Sequence, residues 1–500
     1  MKVRNFLSKV WQKINPFKRG KSRFSIRRVL KASALDRLYG KFRNIEIDPN
    51  EILAELSIVR SRANWLYLND PFVHGAIDTI INRAIGSGSI LQATTQNTTF
   101  NENIETTWEK WCMWADYYRQ FHFADIQRLC LLKLFLDGGV FLRVLPDKRN
   151  TISPIALEIL EYGRLANERA GAKNGNVIIN GVEVNDEGKV VAYHFKGPSN
   201  PLQPAYKIIR VPAEEIIHFS PFRRPGQLLG VPLLTPAIPY ALQLSELIEA
   251  ELVNAKVSAC FGIVIKKAGA YAEAFNMPEE NGERVFEIAP GMVEFLEPGE
   301  DIDVIDAKRP GNNFDDFVKL ILRGIGRSLG LSYEQISGDK SEVNYSSTRH
   351  SELEFQDFVN VLVKALERYV LTPVYYEFLK HSVMLGAVTA QGGIKDWTNW
   401  TQHKWIHKGF AWVDPLKEVQ AVQLALKSGL TTLTDELAKR GKDLDEVIRQ
   451  RKKEIEELNK AGLLDVTQQG LKEDNVSAVI DLNKILTDEE EGVDGTKVKQ

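Results

Sequence analysis

VPAEEIIHFSPFRRPGQLLGVPLLTPAI, residues 211–238, is where the pattern of the chain changes. Its first residues complete a strand-like run, KIIRVPAEEIIHF, and its last residues open a long helical one. Upstream lie four more short strand-like runs, VFLRVLP, ALEILEY, GNVIINGVEV and KVVAYHF. NERAGAKNG and NDEG separate some of them, the glycine- and asparagine-rich breaks that hairpins require. Before the strands come helices. EILAELSIVRSRANWLYLND sets Leu53, Leu56, Val59, Ala63 and Leu66 at helical spacing, and PFVHGAIDTIINRAIGSG reads as a second helix ended by Gly86 and Gly88. TWEKWCMWADYY and ADIQRLCLLKLFLDGG predict two more, around 116–123. Residues 50–235 therefore read as one α+β domain.

Downstream, AIPYALQLSELIEAELVNAKVSAC predicts a helix over about 236–260. Leu242, Leu247, Ile248, Leu252 and Val253 are its apolar positions, and Glu246, Glu249 and Glu251 give it an acidic surface. A strand-and-turn insertion at 261–311 precedes FDDFVKLILRGIGRSLG, a helix with Arg323 and Arg327 four residues apart on one side. The polar, turn-rich SYEQISGDKSEVNYSST leads into a long helix packed through Phe355, Phe358, Val359, Leu362, Val363, Leu366 and Val370. Pro373 falls inside it, so a kink or break is expected. Trp397, Trp400, Trp405 and Trp412 follow. Two further helices come from DPLKEVQAVQLALKSG, with Asp414 as N-cap before Pro415, and from TLTDELAKRGKDLDEVIRQRKKEIEELN.

With 44% apolar and 26% charged residues, the chain has the composition of folded protein with a sizeable core. A net charge of −2 argues against tight wrapping of nucleic acid by overall charge, while leaving room for a locally charged groove or ring surface. Cys112, Cys130 and Cys260 form no close pair, so no disulfide framework is expected and a reducing compartment fits. Residues 1–31 hold eleven Lys or Arg and no acid, a basic arm suited to nucleic acid, a membrane surface or plain solvation. No apolar run reaches bilayer-spanning length, and soluble protein made inside a cell is the expectation. The last forty residues lose apolar periodicity and read as a mobile tail.

Chemistry-bearing patterns are sparse. There is no G-x-x-x-x-G-K-[ST] phosphate loop, and Gly324, Gly326 and Gly330 suit helix packing or a bend better than a nucleotide. His403 and His407 have helical i, i+4 spacing, but KWI between them lacks the glutamate of H-E-x-x-H, so structural or surface roles are expected. Asp301 and Asp303 are too small a set for a metal, and Asp315–Asp316 reads as a helix-start pair. Ser346, Ser347 and His350 lack the G-x-S-x-G frame. Trp108, Trp111 and Trp114 invite a base-stacking reading but fit one packed helix face. No catalytic residue, metal or cofactor is expected.

The ordered set NDPFVHGAIDTIINRAIGSGSILQ at 69–92, Asp137–Gly138–Gly139, the 211–238 stretch, LEPGEDI at 296–302, LSYEQISGDKSEVNYSSTRHSELEF at 331–355 and WVDPLKEVQA at 412–421 resembles tailed-bacteriophage portal proteins of the lambda-like family. The resemblance spans about 50–450. It implies a portal fold, α+β, with a mixed wing domain, a two-helix stem, a small α/β clip, a long kinked helix and a helical crown. In this chain the parts would be a basic arm at 1–49, wing at 50–235, stem helices at 236–260 and 312–330, and clip at 261–311. A tunnel-loop region would follow at 331–347, then the kinked helix and wing return at 348–410, crown at 411–455 and tail at 456–500.

The implied function is a ring of twelve copies at one capsid vertex, assembled in the host cytoplasm. It would conduct double-stranded DNA in packaging and ejection, and dock first the terminase large subunit and then head–tail connector proteins. Major capsid protein or scaffold would be further partners, and no membrane is involved. Glu246, Glu249, Glu251 and Lys340 are the DNA-channel candidates; Arg323 and Arg327 are candidates for subunit contact or channel. Another ring-forming capsid or connector protein is the competing reading, ahead of a capsid-associated protease or nuclease.

Overall fold

A computed structural model describes residues 52–166, 175–197, 207–221, 224–260, 264–267, 300–303, 314–341, 345–389, 397–410 and 415–460. Helix α1, Leu53–Asn69, buries the expected Leu53, Leu56, Val59, Ala63 and Leu66 along one stripe. The chain turns at Asp70, whose Oδ1 accepts the Val73 amide at 2.8 Å and so caps α2, Pro71–Ile85. Proline suits that first helical turn, because its missing N–H has no intrahelical partner to lose. Gly86 closes α2 with φ +56, a conformation that side chains resist.

Strand β1, Ile90–Ala93, leads to α3, Thr98–Cys112, and α4, Phe123–Leu136. The helix predicted from TWEKWCMWADYY ends at Cys112, so Trp108 and Trp111 lie in the core while Trp114, past the end, is half exposed beneath the Arg119 guanidinium. Trp108 is the hub of an aromatic cluster. Its ring centroid lies 5.0 Å from Trp111, 5.2 Å from Phe123, 5.0 Å from Phe378 and 5.7 Å from Trp405. The last three pairs are edge-on, an arrangement that adds to the energy of area burial.

Strands β2 (Val140–Pro146), β3 (Ile155–Glu161) and β8 (Ile216–Phe219) form an antiparallel sheet in the order β3-β2-β8. A second sheet runs β4-β5-β6-β7, from Val177–Ile179, Val182–Val184, Val190–Lys196 and Ile208–Pro212. Two runs that look single in the sequence are divided here. GNVIINGVEV is a hairpin folded at Asn180 and Gly181, both with positive φ. KIIRVPAEEIIHF breaks at Ala213–Glu215, so β7 and β8 serve different sheets.

The Asp137–Gly138–Gly139 turn and the 211–238 stretch meet in a buried joint. Ser220 Oγ donates to the Gly138 carbonyl at 3.1 Å, and a Cβ on Gly138 would stand 2.5 Å from the Gly230 backbone. Arg60 donates to the Asp137 carbonyl at 3.1 Å and lies over the Tyr162 ring, while Asn64 donates to the Asp137 carboxylate at 3.0 Å. Tyr162 and Tyr193 hydroxyls flank the partly buried His218, at 2.6 and 3.3 Å.

Helix α5, Ile238–Cys260, leaves this body. Its root is buried through Ile238, Ala241 and Leu244, and Ser245 Oγ donates to Asp70 Oδ2 at 3.0 Å. Strands β9 (Val264–Lys267) and β10 (Glu300–Asp303) pair antiparallel, and α6, Phe314–Leu329, returns along α5. The short α7, Tyr333–Ser337, precedes α8, Tyr345–Leu366. A π turn, Glu367–Leu371, joins α8 to α9, Thr372–Leu385. The irregularity sits just before Pro373, as a ring that crowds the carbonyl four residues back and lacks an N–H requires. The expected apolar face is buried from Phe355 to Val370, with Phe358 partly so.

Trp397–Trp400 forms one helical turn, α10, and β11, His403–Ile406, pairs antiparallel with β1 in the register Ile90↔Ile406. His403 and His407 thus do not share a helix. His403 sits 2.6 Å from the Thr401 carbonyl and 3.2 Å from Thr372 Oγ1; His407 sits 3.0 Å from Ser89 Oγ and 2.9 Å from Glu367. At the C-terminal side, α11 is Pro415–Lys427, and the last expected helix is two, α12 Leu433–Ala438 and α13 Leu444–Lys460, parted at Gly441 with φ +71. The basic arm, Trp412, Asp414, the tail beyond 460 and most of 261–311 lie outside the described residues.

Candidate functional site

The arm made by α5 and α6 carries most of the sequence candidates. Twenty-three residues at about 1.5 Å each make α5 roughly 35 Å long. Among its described side chains the buried ones lie in the first turns; Leu252 and Val253 are 57% and 51% exposed. Glu246 and Glu249, three apart, share one exposed side of the helix. Glu251 is half-buried, and two residues past Glu249 it points away from that pair.

Arg323 and Arg327 are both exposed on α6 and both turn toward the segment that follows it. The Arg323 guanidinium lies 5.5 Å from the Tyr333 ring centroid, and Arg327 is 3.9 Å from Glu354 on α8. Two such exposed partners at that distance contribute little. Gly326 and Gly330 behave as packing residues. A Cβ on Gly326 would lie 2.7 Å from the Leu331 carbonyl, and one on Gly330 (φ +73) would lie 2.5 Å from the Phe358 ring. Gly324 faces open space.

Between α7 and α8, Gly338 adopts φ +75 and turns the chain outward. Asp339 Oδ1 accepts from the Ser341 amide at 3.0 Å and its hydroxyl at 2.7 Å, which holds the Asp339 carboxyl below its usual range. Lys340 is exposed at the tip of this turn. Sequence reading missed what lies beneath it. Arg83 of α2 reaches Glu352 Oε1 of α8, and Gln335 of α7 donates to Glu352 Oε2 at 3.4 Å. Gln335 Oε1 also accepts the Ser332 amide at 3.0 Å, capping α7. Only this last contact had a signal in the sequence, the S-x-x-Q spacing of a capping box.

A cleft of about 730 Å³ separates α3 and α4 from α13, with Glu102, Glu105 and Glu109 on one wall and Arg449 and Lys453 on the other. Burial raises the Glu105 carboxyl. No group of three or more His, Cys, Asp or Glu among the described residues is arranged to hold a metal ion, and none of the described helices is long and apolar enough to cross a membrane.

The described residues thus form an α+β body with a two-helix arm and an exposed turn in the segment that follows it. The sequence profile described as phage portal protein, lambda family, matches residues 37–362, and the chain belongs to that family. It is accordingly a non-catalytic component of the virion capsid, acting in genome packaging and ejection. Among similar proteins, the probable portal protein of Halomonas phage phiHAP-1 is 28% identical over 72% of this chain and 71% of its own length. Portal protein B of Escherichia phage lambda is 24% identical over 73% and 75%. A chain from the neck of an empty gene transfer agent particle aligns over 76% of this chain and 93% of its own, with 14% identity and a TM-score of 0.44.

Proposed function

We propose that twelve copies close into a ring at one capsid vertex, with α5 and α6 as the stem around an axial DNA channel. The body to residue 235, with the return at 348–410, is the wing, 261–311 the clip, 331–347 the tunnel-loop region and 411–455 the crown. The observation that carries this reading is the out-and-back arm, α5, β9, β10, α6, followed through the short α7 by the turn exposing Lys340. Glu246 and Glu249, repeated around a ring, give a wall that does not grip phosphate, whereas a lattice of basic groups would bind the duplex too tightly to let it slide. Lys340 makes passing contacts at the narrow point. Arg323 and Arg327 exchange their weak partners within the chain for contacts across subunits. The clip receives the terminase large subunit during filling and the head–tail connector afterwards, and the wing meets major capsid protein or scaffold. Rings assemble in the host cytoplasm before joining the capsid.

Top and side views of the purified protein test the reading: closed, flared rings with an axial hole are expected, and monomers at every ionic strength would refute it. Reversing Glu246 and Glu249 together to Lys should leave rings intact while packaging in a complementing phage falls at least tenfold. Unchanged packaging would remove these two residues from the channel wall.

A further inference from the structure

Resting on the reading of residues 331–347 as the tunnel-loop region, we propose that Glu352 is a positioning residue that fixes the base of the exposed 338–341 turn to the wing. Its two carboxylate oxygens are divided between two elements. Oε1 takes the Arg83 guanidinium from α2, and Oε2 takes the Gln335 amide from α7. Arg83 and Glu352 are 27% and 17% exposed, so the pair works in a largely desolvated setting, where a hydrogen-bonded ion pair is harder to replace with water. Gln335 spends its other atom on the Ser332 amide, the first turn of α7.

The consequence is mechanical. Helix α7 is five residues long and too short to hold its own shape by helix formation. Its fixed points are the buried Ile336, the stack of Tyr333 under Arg323, and the link through Gln335 to Glu352. Ile336 and Tyr333 set the depth and tilt of α7 against α6 and the core. The Gln335 link runs through Glu352 to Arg83 and adds a hydrogen-bonded tether to the direct packing of α7 on the wing helix α2. Gly338, three residues after Gln335, starts the turn that carries Lys340. Loss of that carboxylate would therefore leave α7 packed on α2 and α6 but without the polar link that fixes Gln335, three residues before the turn.

Hydrogen–deuterium exchange on assembled rings of the full chain tests this. In Glu352→Ala, amides of 332–341 should exchange about tenfold faster, while exchange in α2 and in β2 stays unchanged and rings form in normal yield. Gln335→Ala, which leaves Glu352 paired with Arg83, should loosen the same amides. Glu352→Gln, keeping an acceptor for Arg83, should fall between wild type and Glu352→Ala. Unchanged exchange at 332–341 in both Glu352→Ala and Gln335→Ala would overturn the positioning role. The DNA reading has a separate readout, genome packaged and retained by phage carrying the same variants. Faster exchange with undiminished packaging and retention would uphold Glu352 as the tether and remove the 338–341 turn from the DNA path.

Discussion

Protonating His218 would put a charge into the joint between the two sheets, where burial pushes the imidazole pKa down to about 3. The unfolded chain titrates near 6.5, so below that pH the unfolded state binds a proton that the folded state refuses. The stability that this neutral histidine protects is complete above pH 6.5 and is lost progressively as the pH falls toward 3. At pH 4.5 the loss amounts to about 2–3 kcal/mol. Urea titrations between pH 7 and 4 should show that decline in the wild type and a flatter one in His218→Gln, which keeps hydrogen-bonding capacity without the titration. Equal slopes would mean that other groups carry the acid sensitivity. None of this was legible in the sequence. HFSP shows a histidine in a strand, but the two tyrosines that enclose it come from distant segments, Tyr162 from the turn just after β3 and Tyr193 from β6.

Among the elements, α6 shows how local pattern succeeds and where it stops. The glycine series 324, 326, 330 reads from sequence as helix packing, and that holds for two of the three. Gly324→Ala should stabilise the protein by about 0.5–1 kcal/mol, because it lies open in a helix and a methyl lowers the entropy of the unfolded chain. Gly330→Ala should destabilise by about 1–3 kcal/mol, since the left-handed backbone and the Phe358 ring both reject a side chain. Denaturant midpoints of the two variants should move in opposite directions, and movement in the same direction would contradict the packing described. The π irregularity before Pro373 was likewise readable as a break in the regular helix, because proline acts on its own helix. The splitting of KIIRVPAEEIIHF between two sheets was not, because strand partners are set by distant residues. The same reason hid Arg83, Glu352 and Gln335, which lie in three segments of the chain.

For the molecule as a whole, the α+β class and portal membership were legible because many short motifs keep their order over most of the chain. The role of each candidate side chain was not, since Glu246, Glu249 and Lys340 are surface residues, and surface position alone does not distinguish a channel wall from a solvated face. Two of the described C-terminal helices are also largely exposed. Neither α11 nor α13 buries a residue within the protomer, and Leu416 and Leu424 are each 69% exposed. Ending the chain after residue 410 should therefore leave the urea midpoint of the body within about 0.5 kcal/mol of wild type, while ring stability on dilution falls. A body that unfolds on truncation would show that these helices stabilise the protomer itself.

The pairing of β1 with β11 also fixes a timetable. Ile90 leaves the ribosome long before its partner Ile406 is made, roughly 15–60 s earlier at ordinary rates of synthesis. Throughout that interval the first domain lacks its last strand, and Trp108 lacks Phe378 and Trp405. A nascent chain thus cannot complete its core until nearly all of it has emerged.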